Sequence, residues 1–324
     1  MTPQPANSNS ISLAEMRSYL SRTMSSVNQN KLRGTLAEIS FREYVSNLGF
    51  GDHVSEGGWI VRSDARGDYH FGQNTAVFFP ETVHADSDYP HNRQLPSPRL
   101  GLHTICATFH QIGIQSYYCT PVIERRGGLP LVSWRAIQLG RPDTTDYQVF
   151  PDCILGFNTR VRPYNFEKYH NDVATIPDES VPIEFSKEST RVAFNSKYFC
   201  EPSDVDGLFW GERLTYPIEI KEKTRASSSS IGDFFGIDVG PFVKLAYYAA
   251  KRGNLHSLFV VREIDNADTR NLVAWRYITF DRMAQFASWV FQPGGRSMTG
   301  GRSATIKIPV DRFGILNAEA LRSL

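Results

Sequence analysis

The stretch DVDGLFWGERLTYPIEIKEK, residues 204–223, places charged side chains inside two short apolar segments. Gly211 and its polar neighbours separate the two segments and predict a tight turn between two strands. We take Glu212–Arg213 as a two-residue loop at the end of this hairpin. The stretch therefore predicts two antiparallel strands that carry charge although their composition is that of core strands.

The register of this hairpin decides which side chains face each other. Asp206 lies opposite Glu219 and Asp204 lies opposite Lys221, and alternation along each strand puts all of these side chains on one face. The intervening positions are apolar and point toward a core on the other face: Val205, Ile218 and Ile220.

Two directly opposed carboxylates repel each other unless a cation lies between them. A divalent ion resolves the conflict between Asp206 and Glu219, because Mg²⁺ takes oxygen ligands and commonly uses one or two carboxylates. Lys221 would stand beside the ion, within reach of a phosphate or of an attacking water. The alternative is the solvated face of an edge hairpin with ordinary surface ion pairs. The pairing of acid with acid favours the metal.

The pattern of Asp206, then Glu219, one residue and Lys221 on adjacent strands resembles the PD-(D/E)XK nuclease superfamily, which includes most type II restriction endonucleases. The resemblance covers roughly residues 204–262 and includes a helix predicted at 241–252 and the strand after it. It implies Mg²⁺-dependent hydrolysis of phosphodiester bonds, with Mn²⁺ as an expected substitute. Asp206 and Glu219 would be the metal ligands and Lys221 the catalytic lysine.

The chain departs from the family pattern at the first acid. No proline directly precedes Asp206, since the nearest one upstream is Pro202, and Asp204 competes for the same role. A literal Pro-Asp pair occurs at Pro151–Asp152, but the downstream segment IEFSKE puts Ser186 where the lysine should stand. We favour Asp206 over Asp204, because the segment DGL enters the apolar strand and Asp206 pairs with Glu219 in the simplest register.

Many members of the superfamily carry a further glutamate on a helix before the hairpin. Glu38, in the helical pattern LRGTLAEISFREYVSNLGF, is similar to that element. The alternative for Glu38 is an exposed helix glutamate. If Glu38 belongs to the site, a long insertion separates it from the hairpin and is a natural recognition subdomain.

The remaining patterns indicate an α/β protein with a mixed central β-sheet flanked by helices, and with a large insertion or N-terminal subdomain. Ser12 and Glu15 form a capping box before a first helix, and a second helix ends at Gly49. Short apolar segments from about residue 50 to 200 predict many strands and one helix at 98–113. We divide the chain into N-terminal helices, an insertion and a catalytic core: 1–50, 51–200 and 201–324.

The bulk composition limits the class of protein. The chain has 324 residues and a formal net charge of +1, so any nucleic-acid surface must be a local patch. The four cysteines contain no Cys-x-x-Cys pair, which favours reduced thiols in a cytosol, and we interpret His103 and Cys106 as core residues of a helix. No apolar run is long enough for a membrane helix. We expect a cytoplasmic protein without a membrane partner.

Basic residues near the hairpin and near the C-terminus are candidates for phosphate contacts. Lys223 and Arg225 follow the catalytic strand, and Arg296 and Arg302 lie in the glycine-rich stretch GGRSMTGGRS. Solvated loops are the alternative for both groups.

These inferences together predict a metal-dependent DNA endonuclease of the restriction or phage-defence kind. We expect double-stranded DNA as the substrate and a homodimer as the assembly, because a twofold pair of sites cuts both strands of a symmetric sequence. The alternative function is a catalytically inactive module with a nuclease fold that binds nucleic acid or protein.

Overall fold

The computed structural model describes residues 9–24, 29–55, 57–63, 74–140, 146–166, 170–200, 202–250, 254–288, 292–296 and 302–324. Within these ranges the chain forms a mixed α/β structure with seven α-helices: α1 (Leu13–Thr23), α2 (Gln29–Val45), α3 (Leu100–Gln111), α4 (Val181–Lys197), α5 (Val239–Ala249), α6 (Phe280–Phe286) and α7 (Ala318–Ser323).

The strands of the described residues form three sheets. In chain order the strands are β1 (Val54–Ser55), β2 (Gly58–Arg62), β3 (Thr75–Pro80), β4 (Ile114–Arg126), β5 (Leu129–Leu139), β6 (Gln148–Phe150), β7 (Ser203–Val205), β8 (Gly207–Trp210), β9 (Thr215–Lys223), β10 (Ala226–Ser228), β11 (Gly232–Asp238), β12 (Leu258–Ile264), β13 (Leu272–Thr279), β14 (Gln292–Arg296), β15 (Arg302–Pro309) and β16 (Gly314–Ile315).

The chain divides into two compact units. The first unit consists of Met1–Leu32 and Gly58–Asp204, and the second consists of Arg33–Gly57 and Val205–Leu324. Helix α1 therefore belongs to the first unit and α2 belongs to the second from Arg33 onward, whereas the sequence grouped both helices in one segment. The chain leaves the second unit after β1 and returns to it just before β8.

The first unit is built on a sheet with the strand order β6-β5-β4-β3-β2-β7. Strands β3 and β4 are parallel and are joined by α3, which confirms the helix predicted at 98–113. The capping box of Ser12 and Glu15 is present at the start of α1. Tyr19 of α1 packs edge-on against Phe185 of α4, with ring centroids 5.2 Å apart, in the core of this unit.

Helix α4 corrects the expectation of a single helix between residues 50 and 200. It was missed because it has no clean apolar stripe, since charged side chains lie on its buried faces. Glu184 and Lys187 are buried, and so are Glu188 and Arg191. Ion pairs within this unit make that burial tolerable, because a buried charge needs a partner.

The second unit is built on a sheet with the order β1-β8-β9-β12-β13-β16. Neighbouring strands are antiparallel except β9 and β12, which are parallel and are connected through α5. Helices α2 and α7 cover one face of this sheet. Helices α5 and α6 and a second sheet, β10-β11-β15-β14, cover the other face.

The hairpin of β8 and β9 has the register that the sequence predicts. Gly207 pairs with Ile218 and Trp210 pairs with Thr215. The loop is longer than the predicted Glu212–Arg213, because it covers residues 211–214, and the N–H of Gly211 donates to the carbonyl of Leu214 at 2.9 Å. A Cβ at Gly211 would lie 2.1 Å from the carbonyl carbon of Leu324, so the packed C-terminus requires glycine there.

The predicted pairing of Asp204 with Lys221 is wrong. Asp204 lies in β7, which belongs to the sheet of the first unit, and the β8–β9 ladder begins only at Gly207. The pairing with β9 does not extend back to Asp204, because Val205 is the last residue of β7. Glu219 and Lys221 therefore share one face of the hairpin without Asp204.

Helix α5 starts two positions before the predicted Pro241, at Val239, and ends at Ala249. The expected stop at Gly253 lies outside the described residues. Among the residues that the structure describes, no helix is both long and apolar enough to cross a membrane.

Candidate active site

Asp206 stands at the start of β8 with its side chain buried. Its Oδ2 accepts a hydrogen bond from the backbone N–H of Ile220 at 2.7 Å. The donor, Ile220, lies on the opposite strand of the hairpin. The register therefore places this N–H where it can hold the carboxylate of Asp206 against β9. A charge-assisted bond of this kind fixes the direction of the carboxylate.

Glu219 lies on β9 and is only 2% exposed. Its Oε1 lies 2.6 Å from the Nζ of Lys221, and its Oε2 lies 2.5 Å from the Nζ of Lys244. Burial alone would raise the pKa of this carboxyl, but the two ammonium groups outweigh burial and lower the pKa to about 2. Glu219 is therefore ionised at neutral pH.

Lys221 lies on the same face of β9 as Glu219, and its Nζ is also 3.8 Å from the Oδ2 of Asp206. Its side chain is 36% exposed, so it is the most open member of this group. Burial favours the neutral amine, but the carboxylates of Glu219 and Asp206 outweigh it and raise the pKa of Lys221. The structure thus brings Asp206, Glu219 and Lys221 together, as the hairpin register requires.

Lys244 is a member of this group that sequence reasoning missed. It lies on α5, which crosses the sheet on the face of Glu219, and the pKa of its ammonium is raised because the carboxylates of Glu219 and Asp206 outweigh burial. The available signal was a single charged residue in the otherwise uncharged helix VGPFVKLAYYA, which follows β9 after the strands β10 and β11.

Glu38 is 9% exposed, so the alternative of an exposed helix glutamate is wrong. Helix α2 places Glu38 near the start of β8, where it reaches Asp206. Asp204 stands two positions before Asp206, at the residue where the first unit ends. Within the second unit, one carboxylate oxygen of Glu38 lies within 4.8 Å of one of Asp206.

This set of carboxylate oxygens is the donor type that Mg²⁺ or Mn²⁺ prefers. Glu38 and Asp206 therefore fit a hard divalent cation. Glu219 is outside the group of mutually close oxygens, because its own oxygens contact Lys221 and Lys244. Asp204 has a further partner in its own unit, Lys187, whose Nζ lies 3.0 Å away.

The predicted phosphate-binding residues occupy different environments. Lys223 is half-buried on β9, and burial lowers the pKa of its ammonium. Arg225 donates its Nε–H to Glu263. Arg296 and Arg302 are opposed across β14 and β15, and their side chains lie outside the described residues.

The literal Pro-Asp pair, Pro151–Asp152, lies in a different environment from that of Asp206. Asp152 forms an ion pair with Lys197. The segment IEFSKE is part of α4 and not a strand, and the Oγ of Ser186 accepts from the N–H of Val83 and donates to the carbonyl of Pro182. Cys106 is buried in α3, and burial raises the pKa of its thiol to about 12, as expected for a core residue.

The chain matches no protein-family model, and neither the curated proteins nor the solved structures give a significant match. The interpretation of this site therefore depends on its own geometry and chemistry.

Proposed function

We propose that the protein is a Mg²⁺-dependent DNA endonuclease, of the restriction or phage-defence kind, that hydrolyses phosphodiester bonds. The observation that carries the proposal is the convergence of Asp206, Glu219 and Lys221 across two antiparallel strands, with Glu38 beside Asp206. Metal-dependent hydrolysis needs carboxylates that hold a metal ion and a positively charged side chain that faces the reacting phosphate. The three acids supply the carboxylates, and Lys221 supplies the positive charge.

The order of elements in the second unit supports a restriction-endonuclease-like core. Helix α2 is followed by the antiparallel strands β1, β8 and β9, and then by α5 and the parallel strand β12. The helix and the strand after the lysine strand are those that the sequence resemblance requires. Most of the first unit, Gly58–Asp204, is inserted between β1 and β8, so we propose the first unit as the subdomain that recognises the substrate.

Each residue of the group has a distinct part in the proposed reaction. Asp206 and Glu219 are the proposed metal ligands, and Glu38 assists Asp206. A bound Mg²⁺ would polarise the phosphate and lower the pKa of a water. Lys221 keeps its proton and is the most open of these groups, so it can orient the attacking water and offset negative charge on the phosphate.

We propose double-stranded DNA as the substrate, a homodimer as the assembly and a cytoplasmic location. Two copies related by a twofold axis would present two sites to the two strands of a symmetric sequence. The cysteines are all free thiols, which suits a reducing compartment.

The test is cleavage of supercoiled plasmid and of methylation-free phage DNA, with Mg²⁺ or with EDTA, by the wild type and by Lys221→Met. We expect discrete fragments only with Mg²⁺, and we expect at least a hundredfold loss of rate in the variant, on the order of the contribution of a group that stabilises transition-state charge. Folding should be kept, because Glu219 retains Lys244 as a partner.

Lys307→Met is the matched control, since it removes a lysine from β15 of the same unit, whose ammonium lies over the ring of Phe234. Cleavage by Lys221→Met at the rate of this control would contradict the proposed role of Lys221. Binding of DNA with neither cleavage nor a Mg²⁺-dependent rise in melting temperature would favour the inactive binding module.

A further inference from the structure

The strand register extends the lysine-bearing face of β9 across its neighbours. Lys221 pairs with Val261 of β12, and Val261 pairs with Arg276 of β13. Lys223 pairs with Glu263 in the same way. Directly paired residues share a face of a sheet, so all of these side chains lie on the face that carries Lys221.

Glu263 organises the basic side chains of this face. It is buried, and its Oε1 accepts from the Nε–H of Arg225 while its Oε2 accepts from the Nε–H of Arg276. Each guanidinium thus uses its Nε on Glu263. Within the described residues, the terminal nitrogens of these two arginines make no further hydrogen bond, so their N–H groups remain available to a phosphate.

Two guanidinium groups outnumber the one carboxylate that holds them. Glu263 faces both guanidinium groups, and Lys223, which pairs with Glu263 in the strand register, adds an ammonium on the same face of the sheet. Asp233 lies close enough to act on Arg225, and Asp238 acts on Lys223. Arg225 still exposes 44% of its side chain, so an anion can approach it from solvent.

We infer that Arg225 and Arg276, held by Glu263 and joined by Lys223, form a binding site for backbone phosphates of a nucleic acid that passes Lys221. The inference rests on the proposed function, because it concerns the part of the nucleic-acid strand that adjoins the phosphate to be cleaved. Arg276 is two strands from Lys221, or roughly 10 Å at the usual strand spacing. The site therefore takes a neighbouring phosphate and not the one at Lys221.

The opposite face of the same sheet offers a matched control. Glu222 of β9 faces that side and is also shared by two arginines, since the Nη1 of Arg262 lies 2.8 Å from its Oε2 and the Nη2 of Arg270 lies 2.7 Å from its Oε1. Arg225→Gln removes one of the two arginines that contact Glu263 of β12. Arg270→Gln removes one of the two arginines that contact Glu222 of β9. Only the first lies on the face of Lys221.

The experiment measures the affinity of the full chain for a labelled DNA duplex in EDTA, over a range of salt concentrations, by fluorescence anisotropy. For Arg225→Gln we expect weaker binding at every duplex sequence, and a slope of log affinity against log salt that is reduced by about 1. For Arg270→Gln we expect wild-type values. A smaller loss in Arg225→Lys than in Arg225→Gln would show that the positive charge is what matters.

The outcomes separate this inference from the proposed function. Equal affinity and equal salt slope in Arg225→Gln and Arg270→Gln would overturn the phosphate site even if the protein cleaves DNA. A reduced slope in Arg225→Gln without any metal-dependent cleavage by the wild type would support the phosphate site and count against the endonuclease. A wild type that does not bind DNA at low salt would overturn both.

Discussion

Helix α4 of the first unit and the central sheet of the second unit both bury glutamates, but they supply different numbers of cations. Among the described residues, the hydrogen bonds to the carboxylate of Glu188 on α4 come from a single arginine, Arg191, which donates to both oxygens at 2.8 and 2.7 Å from within the same helix, and the charge of Lys31 acts on Glu188 as well. On the sheet, Glu219 faces two lysines and Glu263 faces two arginines, and each carboxylate is shared between its cations.

This difference changes the protonation behaviour of the buried carboxyl groups. Burial raises the pKa of Glu188 despite the hydrogen bonds and the charge of Arg191. Burial acts in the same direction on Glu219 and Glu263, but two cations outweigh it, and the pKa of each is lowered. One partner satisfies a buried carboxylate, whereas two partners leave positive charge that an anionic ligand can use.

The largest expected effect on the free energy of unfolding comes from removing Arg191, the hydrogen-bonded partner of Glu188. Arg191→Met leaves the buried carboxylate of Glu188 without its hydrogen-bonded cation, and breaking such a pair costs about 3–5 kcal/mol. The free energy of unfolding, measured by denaturant titration, should fall by this amount. Arg191 also donates to the carbonyl of Thr23 at 3.1 Å, and loss of that bond adds to the cost.

A second substitution isolates the charge in this prediction. Adding Glu188→Gln to Arg191→Met removes the unpaired carboxylate and should recover much of the lost stability. No recovery in the double variant would mean that packing around Arg191, and not the ion pair, accounts for the loss.

A smaller effect is expected when one of two cations is removed. Lys244→Met leaves Glu219 with Lys221 at 2.6 Å, so the carboxylate stays paired. We expect a decrease of about 1–3 kcal/mol in the free energy of unfolding, typical of a lost hydrogen bond to a charged group. Val243→Met, at an adjacent and exposed position of α5, is the control and should be near wild type. A loss as large as that of Arg191→Met would contradict the distinction between single and shared partners.

The smallest effects concern the pH dependence of stability. The sign of this dependence should differ between the central sheet, which carries Glu263, and helix α4, which carries Glu188. A carboxyl with a lowered folded pKa contributes stability that is present above its unfolded pKa, near 4.3, and that is lost as pH falls through the folded value. The cost of Glu263→Gln should therefore shrink below about pH 5.

Glu188 should show the opposite trend. Its raised pKa means that the folded state binds the proton more tightly, so wild-type stability relative to Glu188→Gln should increase as pH falls toward about 4.3. Denaturant titrations at a series of pH values measure both differences, with Glu319→Gln, at an exposed position of α7, as the baseline. Parallel trends in the two variants would refute the contrast.

Local patterns predicted a definite part of this structure. The capping box of α1 and the register of the β8–β9 hairpin follow from residues close together in the chain, and both are confirmed. The loop of the hairpin covers residues 211–214 and not Glu212–Arg213 alone, and its Gly211 packs against Leu324, which no local pattern connects with it. Helix α4 was missed for a related reason, since its charged residues are paired by packing and not by pattern.

The sequence by itself determined that Asp206, Glu219 and Lys221 meet, because alternation along two antiparallel strands leaves little freedom once the register is set. Only the tertiary structure decided that α2 brings Glu38 to Asp206, that α5 brings Lys244 to Glu219, and that Arg225 and Arg276 share Glu263. These contacts join elements far apart in the chain. Their physical basis is the packing of helices and loops onto the sheet, which no local spacing records.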